Sequence, residues 1–414
     1  MTNYDALIKE YILQRVRGVL KPPSGDLAYP FIDPGAGYGN ELWDWDSYFT
    51  AHALISACQR FSDSELQRAG LDRQTVAAHS KGCVRNFLAA QEADGYVPIL
   101  TAAAGLFRGY FHAEHQKGTP LNQHKPFLCQ AAQQASEFSG DYDWLDAAPL
   151  VRYMQYYEQK QYDENSGLFV WQDDIMVGID NNPTVFFRPP HSCADVYLNC
   201  FMVLEYEALA HILACKKDDR AQTYAQKAET LKAAINREMW DERDGLYYSQ
   251  DVGFHRVTRK IGDFAFHAGL APRWHSLPLK IRFWGCFLPL YAGVCSLERA
   301  QRMCEHLDDP RMVTAYGIRT LASDEKMYDL EKSGNPSNWL GAIWTVANYT
   351  VYKGLLRYGF TARAERMRAA TIALLGKNLH ESGEMFESYQ PDTGEPNLHP
   401  GFLSWNLLSL ELLA

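Results

Sequence analysis

The sequence lacks the motifs of several common catalytic chemistries. It contains no Gly-x-x-x-x-Gly-Lys-Ser/Thr loop, no Gly-x-Ser-x-Gly elbow and no His-Glu-x-x-His helix. These patterns bind nucleotide phosphates, expose a catalytic serine and hold zinc, respectively. The 13 histidines are scattered, and His112 and His115 are expected to form a surface or rim pair rather than a metal site. No metal site is predicted.

The sequence also lacks a basic stripe, a long apolar run and a Cys-x-x-Cys pair. The net charge is −10 without a run of Lys or Arg, so no nucleic-acid partner is expected. No stretch approaches ~18 consecutive apolar residues, and the first residues lack a signal pattern, so no membrane span is expected. The nine cysteines include no Cys-x-x-Cys pair. They predict buried, reduced thiols and a cytoplasmic location.

Aromatic residues, in contrast, are abundant at 13% of the chain. The densest cluster with carboxylates follows the breaker-rich stretch 30–39 and contains Tyr38, Trp43, Asp44, Trp45 and Asp46. Flat apolar faces suit the C–H groups of a sugar ring, and carboxylates accept hydrogen bonds from its hydroxyls. The cluster therefore predicts a carbohydrate pocket.

Helical periodicity dominates the rest of the chain. No composition break divides it, so one domain over residues 1–414 is predicted. The predicted helices cover 3–19, 47–60, 73–93, 125–139, 142–162, 193–217, 219–240, 284–291, 297–307, 339–358, 361–379 and 402–413. Short extended pieces are predicted only near 167–171 and 246–250.

A weak internal repeat favours a toroid of helix pairs. Tyr162-Asp-Glu-Asn-Ser-Gly-Leu-Phe recurs as Trp240-Asp-Glu-Arg-Asp-Gly-Leu-Tyr, and each copy follows a helix and turns on glycine. Six such pairs closed into a ring would bury the inner helices and gather the loops at one rim. We therefore predict an all-α protein, an (α/α)6 barrel with short β-hairpins in the rim loops. An irregular α-superhelix is the alternative.

Two loop carboxylates are candidates for glycoside hydrolysis, which usually needs one acid and one base. Asp180 lies in an irregular segment whose apolar neighbours are expected to keep it protonated. Glu387 is the candidate base, with Glu384 and Glu381 as rivals. A turn-forming role for Asp180 and a solvated acidic loop around Glu387 are the structural alternatives.

Two helix entrances add binding candidates. Trp339 and Trp344 are five residues apart, so on a helix their indoles would lie on different faces, with one toward the rim. Gln123 is a candidate for holding a sugar hydroxyl and Lys125 for meeting an anionic aglycone. Helix capping and solvated charge are the alternatives at these two positions.

In their order along the chain, these motifs resemble the family 63 glycoside hydrolases and, more distantly, trehalases and glucoamylase-type enzymes. The matching segments are Trp43-Asp-Trp-Asp46, Gly178-Ile-Asp-Asn-Asn-Pro183, Asn338-Trp-x-Gly-x-x-Trp344 and Glu387-x-Tyr-x-Pro-x-Thr-Gly394-Glu. The resemblance covers residues 29–405. It implies an (α/α)6 barrel and exo-acting, inverting hydrolysis of α-glucosides or α-mannosides without a cofactor. Compact bacterial members resemble mannosylglycerate and glucosylglycerate hydrolases, so a small α-glycoside is the expected substrate.

By motif position the resemblance implies that Asp180 is the general acid and Glu387 the general base. The predicted substrate-binding residues are Tyr38, Trp43, Asp44, Trp45, Asp46, Gln123, Lys125, Asn181, Arg188, Trp339, Trp344 and Tyr389. Two departures from the family pattern concern the aglycone. The family's Trp-Arg-Gly-Pro appears here as Trp339-Leu-Gly-Ala342, and its Gln-Pro-Pro as His124-Lys-Pro126. Lys125, Arg108 and Arg188 are the cations left to meet a carboxylate.

Two other functions are consistent with the residues. A sugar epimerase on the same kind of barrel would use histidine bases, and its candidates are His112, His115, His191 and His399. A non-catalytic sugar-binding protein would hold an α-glycoside without turnover. The two carboxylates in suitable loops favour the hydrolase over both.

Overall fold

The computed structural model describes residues 3–254, 259–266, 273–331 and 337–413. The α-helices in these ranges are α1 Tyr4–Arg15, α2 Asp44–Arg60, α3 Asp63–Arg68, α4 Arg73–Ala89, α5 Tyr110–Gln116, α6 Leu128–Ser139, α7 Ala148–Lys160, α8 Val196–Cys215, α9 Ala221–Glu238, α10 Leu288–Ala292, α11 Leu297–Glu305, α12 Thr345–Arg357 and α13 Thr361–Ser382. The 3₁₀ helices are Val16–Val19, Ala36–Tyr38, Trp284–Phe287, His306–Asp308 and Ser404–Glu411.

Six helical segments form a closed inner ring. In order around it they are α2, α6, α8, α10, α12 and the 3₁₀ helix Ser404–Glu411, which packs back against α2. Helix α4 covers α2 and α6 from outside, α9 covers α8, and α13 covers α12. The inner helices bury most of their residues because they are covered on several sides. The predicted all-α ring of helix pairs is confirmed.

Helix α8 is long and apolar enough to cross a membrane by length and composition, which the count of consecutive apolar residues missed. Its most apolar stretch is 72% buried within the protein. The helix belongs to the inner ring, where it packs against α6, α9 and α10. Its composition is therefore that of a core helix.

Polar contacts add to the apolar packing where the ring closes. Glu411 of the last 3₁₀ helix accepts hydrogen bonds from Tyr349 at 3.0 Å and Lys353 at 2.9 Å, both on α12. It also pairs with His52 of α2 at 2.7 Å. Burial alone would raise the pKa of Glu411, but His52 and Lys353 lower it to about 2. One carboxylate thus joins three segments of the ring.

Short antiparallel strands lie in the connections between helices. They are β1 Leu20–Lys21, β2 Phe31–Ile32, β3 Glu41–Trp43, β4 Leu100–Ala102, β5 Tyr162–Asp163, β6 Leu168–Phe169, β7 Cys193–Ala194, β8 Trp240–Asp241, β9 Leu246–Tyr247, β10 Gln250–Asp251, β11 Arg259–Ile261, β12 Phe264–Phe266, β13 Leu277–Pro278, β14 Val313–Thr314 and β15 Gly317–Ile318. Both copies of the sequence repeat form the same hairpin, β5 with β6 and β8 with β9. Gly167 and Gly245 have φ of 75° and 69° in these turns, values that glycine adopts at little cost.

The predicted helix 339–358 begins only at Thr345, so that prediction is wrong at its N-terminal end. Ile343 instead forms an antiparallel bridge with Tyr389, which keeps the preceding backbone extended. Trp339 and Trp344 therefore do not share a helix. Their indole rings stack with centroids 4.3 Å apart and planes inclined by 12°, rather than lying on opposite faces.

Candidate active site

A cavity of about 130 Å³ lies where several inner-ring segments begin. Its lining residues are Pro34, Tyr38, Trp43, Trp45, Asp46, Ile99, Lys125, Met176, Gly178, Asp180, Ser337, Trp339, Trp344, Glu387, Phe402 and Trp405. Asp46 lies in the first turn of α2, and Trp344 is the residue that caps α12. Backbone N–H groups at helix N-termini favour negative charge and oxygen acceptors. The cavity is thus suited to polar, oxygen-rich ligands.

Tryptophan side chains form one wall of the cavity. Trp45 lies 4.9 Å from Trp405 and 5.5 Å from Trp339 between ring centroids. Trp339 in turn stacks on Trp344. All four indoles are buried, so the wall is rigid and presents flat apolar area. The structure brings together the tryptophans of two sequence motifs and adds Trp405.

Two of these tryptophans carry buried donors that lack a partner within the described part of the chain. They are the Nε1 atoms of Trp344 and Trp405. A buried N–H without an acceptor costs about 1–3 kcal/mol. Both donors have almost no accessible surface, so they are part of the packed wall itself.

The loop that carries Asp180 is fixed on both sides. The backbone oxygen of Asp180 accepts from the backbone N–H of Trp339 at 3.0 Å. Asn182 donates to the buried carboxylate of Asp195, the residue that caps α8, at 2.8 Å. Gly178 has φ of 86°, and a Cβ there would lie 2.7 Å from Cδ of Lys125. Only glycine therefore lets this loop pack against the cavity wall.

Glu387 reaches the cavity from a different part of the chain. Its backbone N–H donates to Leu398 at 3.0 Å, so the segment before the turn pairs with the segment after it. The hydroxyl of Tyr38 lies 3.2 Å from Oε1 and 3.4 Å from Oε2. The ring Nδ1 of His399 forms a hydrogen bond with Oε2. The carboxyl group is thus held by two side chains.

The charge state of Glu387 is set by competing effects. Burial raises its pKa above the ordinary value, and the carboxylate of Asp180 raises it further. The hydrogen bonds from His399 and Tyr38 oppose this rise. Asp180 and Glu387 line the same cavity, and the charge of one raises the pKa of the other. A raised pKa makes Glu387 a stronger base once it is ionised.

A buried ion pair supports the floor of the cavity. Nζ of Lys125 lies 2.6 Å from Oδ1 of Asp44, and both side chains are almost fully buried. The backbone N–H of Lys125 donates to the other oxygen of Asp44 at 2.8 Å. Asp46 lines the cavity and accepts from Ser404 at 2.9 Å. Burial raises the pKa of Asp46 well above its ordinary value, and the hydrogen bond from Ser404 opposes this rise.

Five predicted binding residues do not line the cavity. Asp44 lies beneath the wall in its pair with Lys125, and Gln123 is fully buried and donates to Tyr153. Asn181 is next to Asp180 but is not among the lining residues, and Arg188 pairs with Asp251. Tyr389 is buried, and its hydroxyl accepts from the backbone N–H of Phe386. Substrate contact by these five residues stays a prediction, and the structure places them outside the lining of the cavity.

The rivals for the catalytic base lie elsewhere. Glu384 accepts a hydrogen bond from Tyr11 at 2.5 Å, on the side of helix α1. Glu381 pairs with Lys377 at 3.0 Å and is largely exposed. Neither carboxylate lines the cavity. Of the three candidates, only Glu387 does.

Most of the histidines considered as bases also lie outside the cavity. His112 pairs with Glu92 at 2.6 Å, and His115 with Asp94 at 3.0 Å. His191 is exposed and lines a different surface cavity. Of these four histidines, only His399 forms a hydrogen bond with a residue that lines the cavity. Within the described ranges, no group of three or more His, Cys, Asp or Glu residues is placed to hold a metal ion.

Several lining residues were not predicted from sequence. They are Pro34, Ile99, Met176, Ser337, Phe402 and Trp405. Ile99 and Met176 belong to ordinary apolar stretches and carry no local signal. Trp405 follows Gly401 and Phe402 in an aromatic segment near the C-terminus, which was interpreted as a plain helix. His399 precedes Pro400 in a loop and was considered only as a candidate base of an epimerase, so its contact with Glu387 was not predicted.

Family comparison identifies this domain. The model of the mannosylglycerate hydrolase MGH1-like glycoside hydrolase domain matches residues 39–405. Mannosylglycerate hydrolase MGH1 of Selaginella moellendorffii is 25% identical over 214 residues, which cover 51% of this chain and 37% of the relative. The match thus spans little more than a third of that relative. MGH2 of the same organism matches to the same extent.

Solved structures share the fold. The GH63 mannosylglycerate hydrolase of Thermus thermophilus in complex with glucose superposes with a TM-score of 0.67 at 19% identity, covering 97% of this chain and 99% of that one. Neutral trehalase Nth1 of Saccharomyces cerevisiae superposes with a TM-score of 0.57 at 14% identity, over 93% of this chain and 74% of that one. The predicted resemblance and the barrel architecture are confirmed. The chain belongs to the MGH1-like family of glycoside hydrolases.

Proposed function

We propose that this protein hydrolyses a small α-glycoside, such as a glucoside or mannoside of glycerate, from its non-reducing end with inversion at the anomeric carbon. The observation that carries the proposal is the meeting of Asp180 and Glu387 in one tryptophan-walled cavity. These residues come from distant loops, and each loop is fixed by backbone hydrogen bonds. Glycoside hydrolysis requires an acid and a base that line the same cavity.

In the proposed reaction Asp180 protonates the glycosidic oxygen as the bond to the anomeric carbon breaks. Glu387 takes a proton from a water molecule that attacks the opposite face of the sugar ring. The products are the free sugar and the aglycone alcohol, with one water consumed. For a single displacement of this kind, we expect the two carboxyl groups to be ~6.5–9.5 Å apart.

The residues that line the cavity favour binding of a sugar. The indole faces of Trp45 and Trp339 provide apolar area for one side of a pyranose ring. Asp46 adds carboxyl oxygens that accept hydrogen bonds from sugar hydroxyls. A volume of about 130 Å³ favours a single terminal residue and hence exo action.

The charge of the aglycone decides which glycosides should be tested. The named relatives act on mannosylglycerate, and a structure of the Thermus thermophilus enzyme contains Tris and D-glycerate. The three cations considered for a carboxylate are each paired here: Lys125 with Asp44, Arg108 with Asp26 and Arg188 with Asp251. Neutral glycosides such as glucosylglycerol therefore belong in the substrate panel beside the glycerate conjugates.

The test is a substrate panel with two variants. Wild-type protein is expected to release free sugar from one α-glucoside or α-mannoside, while Asp180→Asn and Glu387→Gln lower kcat by about 10²–10⁴-fold. Circular dichroism and unfolding curves serve as the folding control. Full activity in either variant would remove that residue from its role. Isomerisation of a sugar without cleavage would instead indicate the epimerase.

A further inference from the structure

His399 forms a hydrogen-bonded pair with the candidate base. Its Nδ1 contacts Oε2 of Glu387, and its ring lies edge-on to Tyr38 with centroids 5.3 Å apart. The Glu387 side chain is 5% exposed, whereas the His399 side chain is 37% exposed. The imidazole thus lies between the buried carboxyl group and solvent.

The backbone around His399 is built to hold this contact. Glu387 pairs with Leu398 through N–H···O at 3.0 Å, and Asn397 pairs with Ser388 at 3.0 Å. Gly401 donates to Met385 at 2.8 Å beyond the pair. His399 itself has φ of 41°, a conformation that residues other than glycine rarely adopt and that tends to mark functional sites.

We propose that His399 is a positioning residue for the general base. Its ring holds Oε2 of Glu387, which fixes the carboxyl plane and leaves Oε1, beside the Tyr38 hydroxyl, with a lone pair for the proton of the attacking water. The inference rests on the proposed hydrolysis. It gives His399, considered from sequence only as the base of an epimerase, a role beside Glu387 that the pH profile of activity reports.

The charged and titratable groups around the pair set the direction of that response. Glu387 contacts His399 and Tyr38 directly, and the carboxylate of Asp180 raises its pKa. Asp46 lines the same cavity as Glu387. Of these groups, His399 and Tyr38 favour the ionised form of Glu387, and Asp180 disfavours it. Loss of the ring should therefore move the acid limb of the pH profile to higher pH.

The test compares His399→Gly with His399→Asn. Glycine accepts the positive φ, so His399→Gly removes the ring without adding backbone strain. We expect kcat about 10- to 100-fold lower, KM little changed, and the acid limb of kcat/KM displaced upward. His399→Asn keeps a side-chain N–H donor and tolerates the same backbone, so it should recover much of the rate. His211→Ala, which removes a histidine paired with Glu137 far from the cavity wall, should leave the profile unchanged.

An unmoved acid limb in His399→Gly would overturn the inference, as would equal losses in the glycine and asparagine variants. If His399→Gly does not fold, the profile of His399→Asn decides, because a smaller upward displacement is still expected from the loss of the titratable ring. Absence of hydrolysis by the wild-type protein across the panel would instead contradict the proposed function.

Discussion

At the scale of single residues, the cavity depends on buried polar groups that support one another. Lys125 and Asp44 illustrate this, since each is almost fully buried and each compensates the charge of the other. Breaking such a pair leaves one charge buried without its partner, which costs more than removing both. The pair therefore supports the part of the cavity that Asp46 and Trp45 line.

This arrangement predicts a double-mutant result. Lys125→Met should lower the free energy of unfolding by about 3–5 kcal/mol, because Asp44 is left buried and charged. The double variant Lys125→Met with Asp44→Asn should recover most of that loss. Urea unfolding followed by tryptophan fluorescence measures both. A double variant no more stable than Lys125→Met would show that the buried charge is not the cause.

At the scale of elements, the ring closes through Glu411 of the last 3₁₀ helix. Its pKa of about 2 in the folded protein is below its ordinary value of 4.5, so folding favours the ionised form. The stabilisation is fully present above pH ~4.5 and is lost as pH falls toward 2. Glu411→Gln should cost about 2–3 kcal/mol at pH 7.

The pH dependence distinguishes this prediction from simple loss of packing. The stability difference between wild type and Glu411→Gln should shrink as pH falls below ~4.5, since protonation removes the same charge from the wild type. Chemical unfolding at pH 7 and pH 4 measures it. A difference that is constant between these values would contradict the ion-pair account of ring closure.

Elements also show where sequence reasoning succeeds. The hairpins at Gly167 and Gly245 follow from local turn chemistry, and the loop of Asp180 from a compact motif. The extended backbone before Thr345 was missed because it depends on pairing with Tyr389, far along the chain. Burial of Gln123 was missed for the same reason. Local signals predict elements, whereas long-range pairing decides which side chains face the cavity.

At the scale of the whole molecule, ring closure brings the four sequence motifs, together with Trp405, to one cavity. Trp45 and Asp46 come from the first ring segment, Trp344 from the residue that caps the fifth and Trp405 from the sixth. Asp180 lies in the connection between the second and third segments, and Glu387 in the connection between the fifth and sixth. Because the ring is closed, the spacing of the two carboxyl groups is set by the entire barrel. That spacing determines the stereochemistry of hydrolysis.

The most direct measurement of the central claim is proton NMR of the first sugar released from an α-glycoside by wild-type protein. The account predicts that the β-anomer appears first and then mutarotates, and that neither Asp180→Asn nor Glu387→Gln produces it at a comparable rate. Initial release of the α-anomer, or release by both variants at the wild-type rate, would contradict the account.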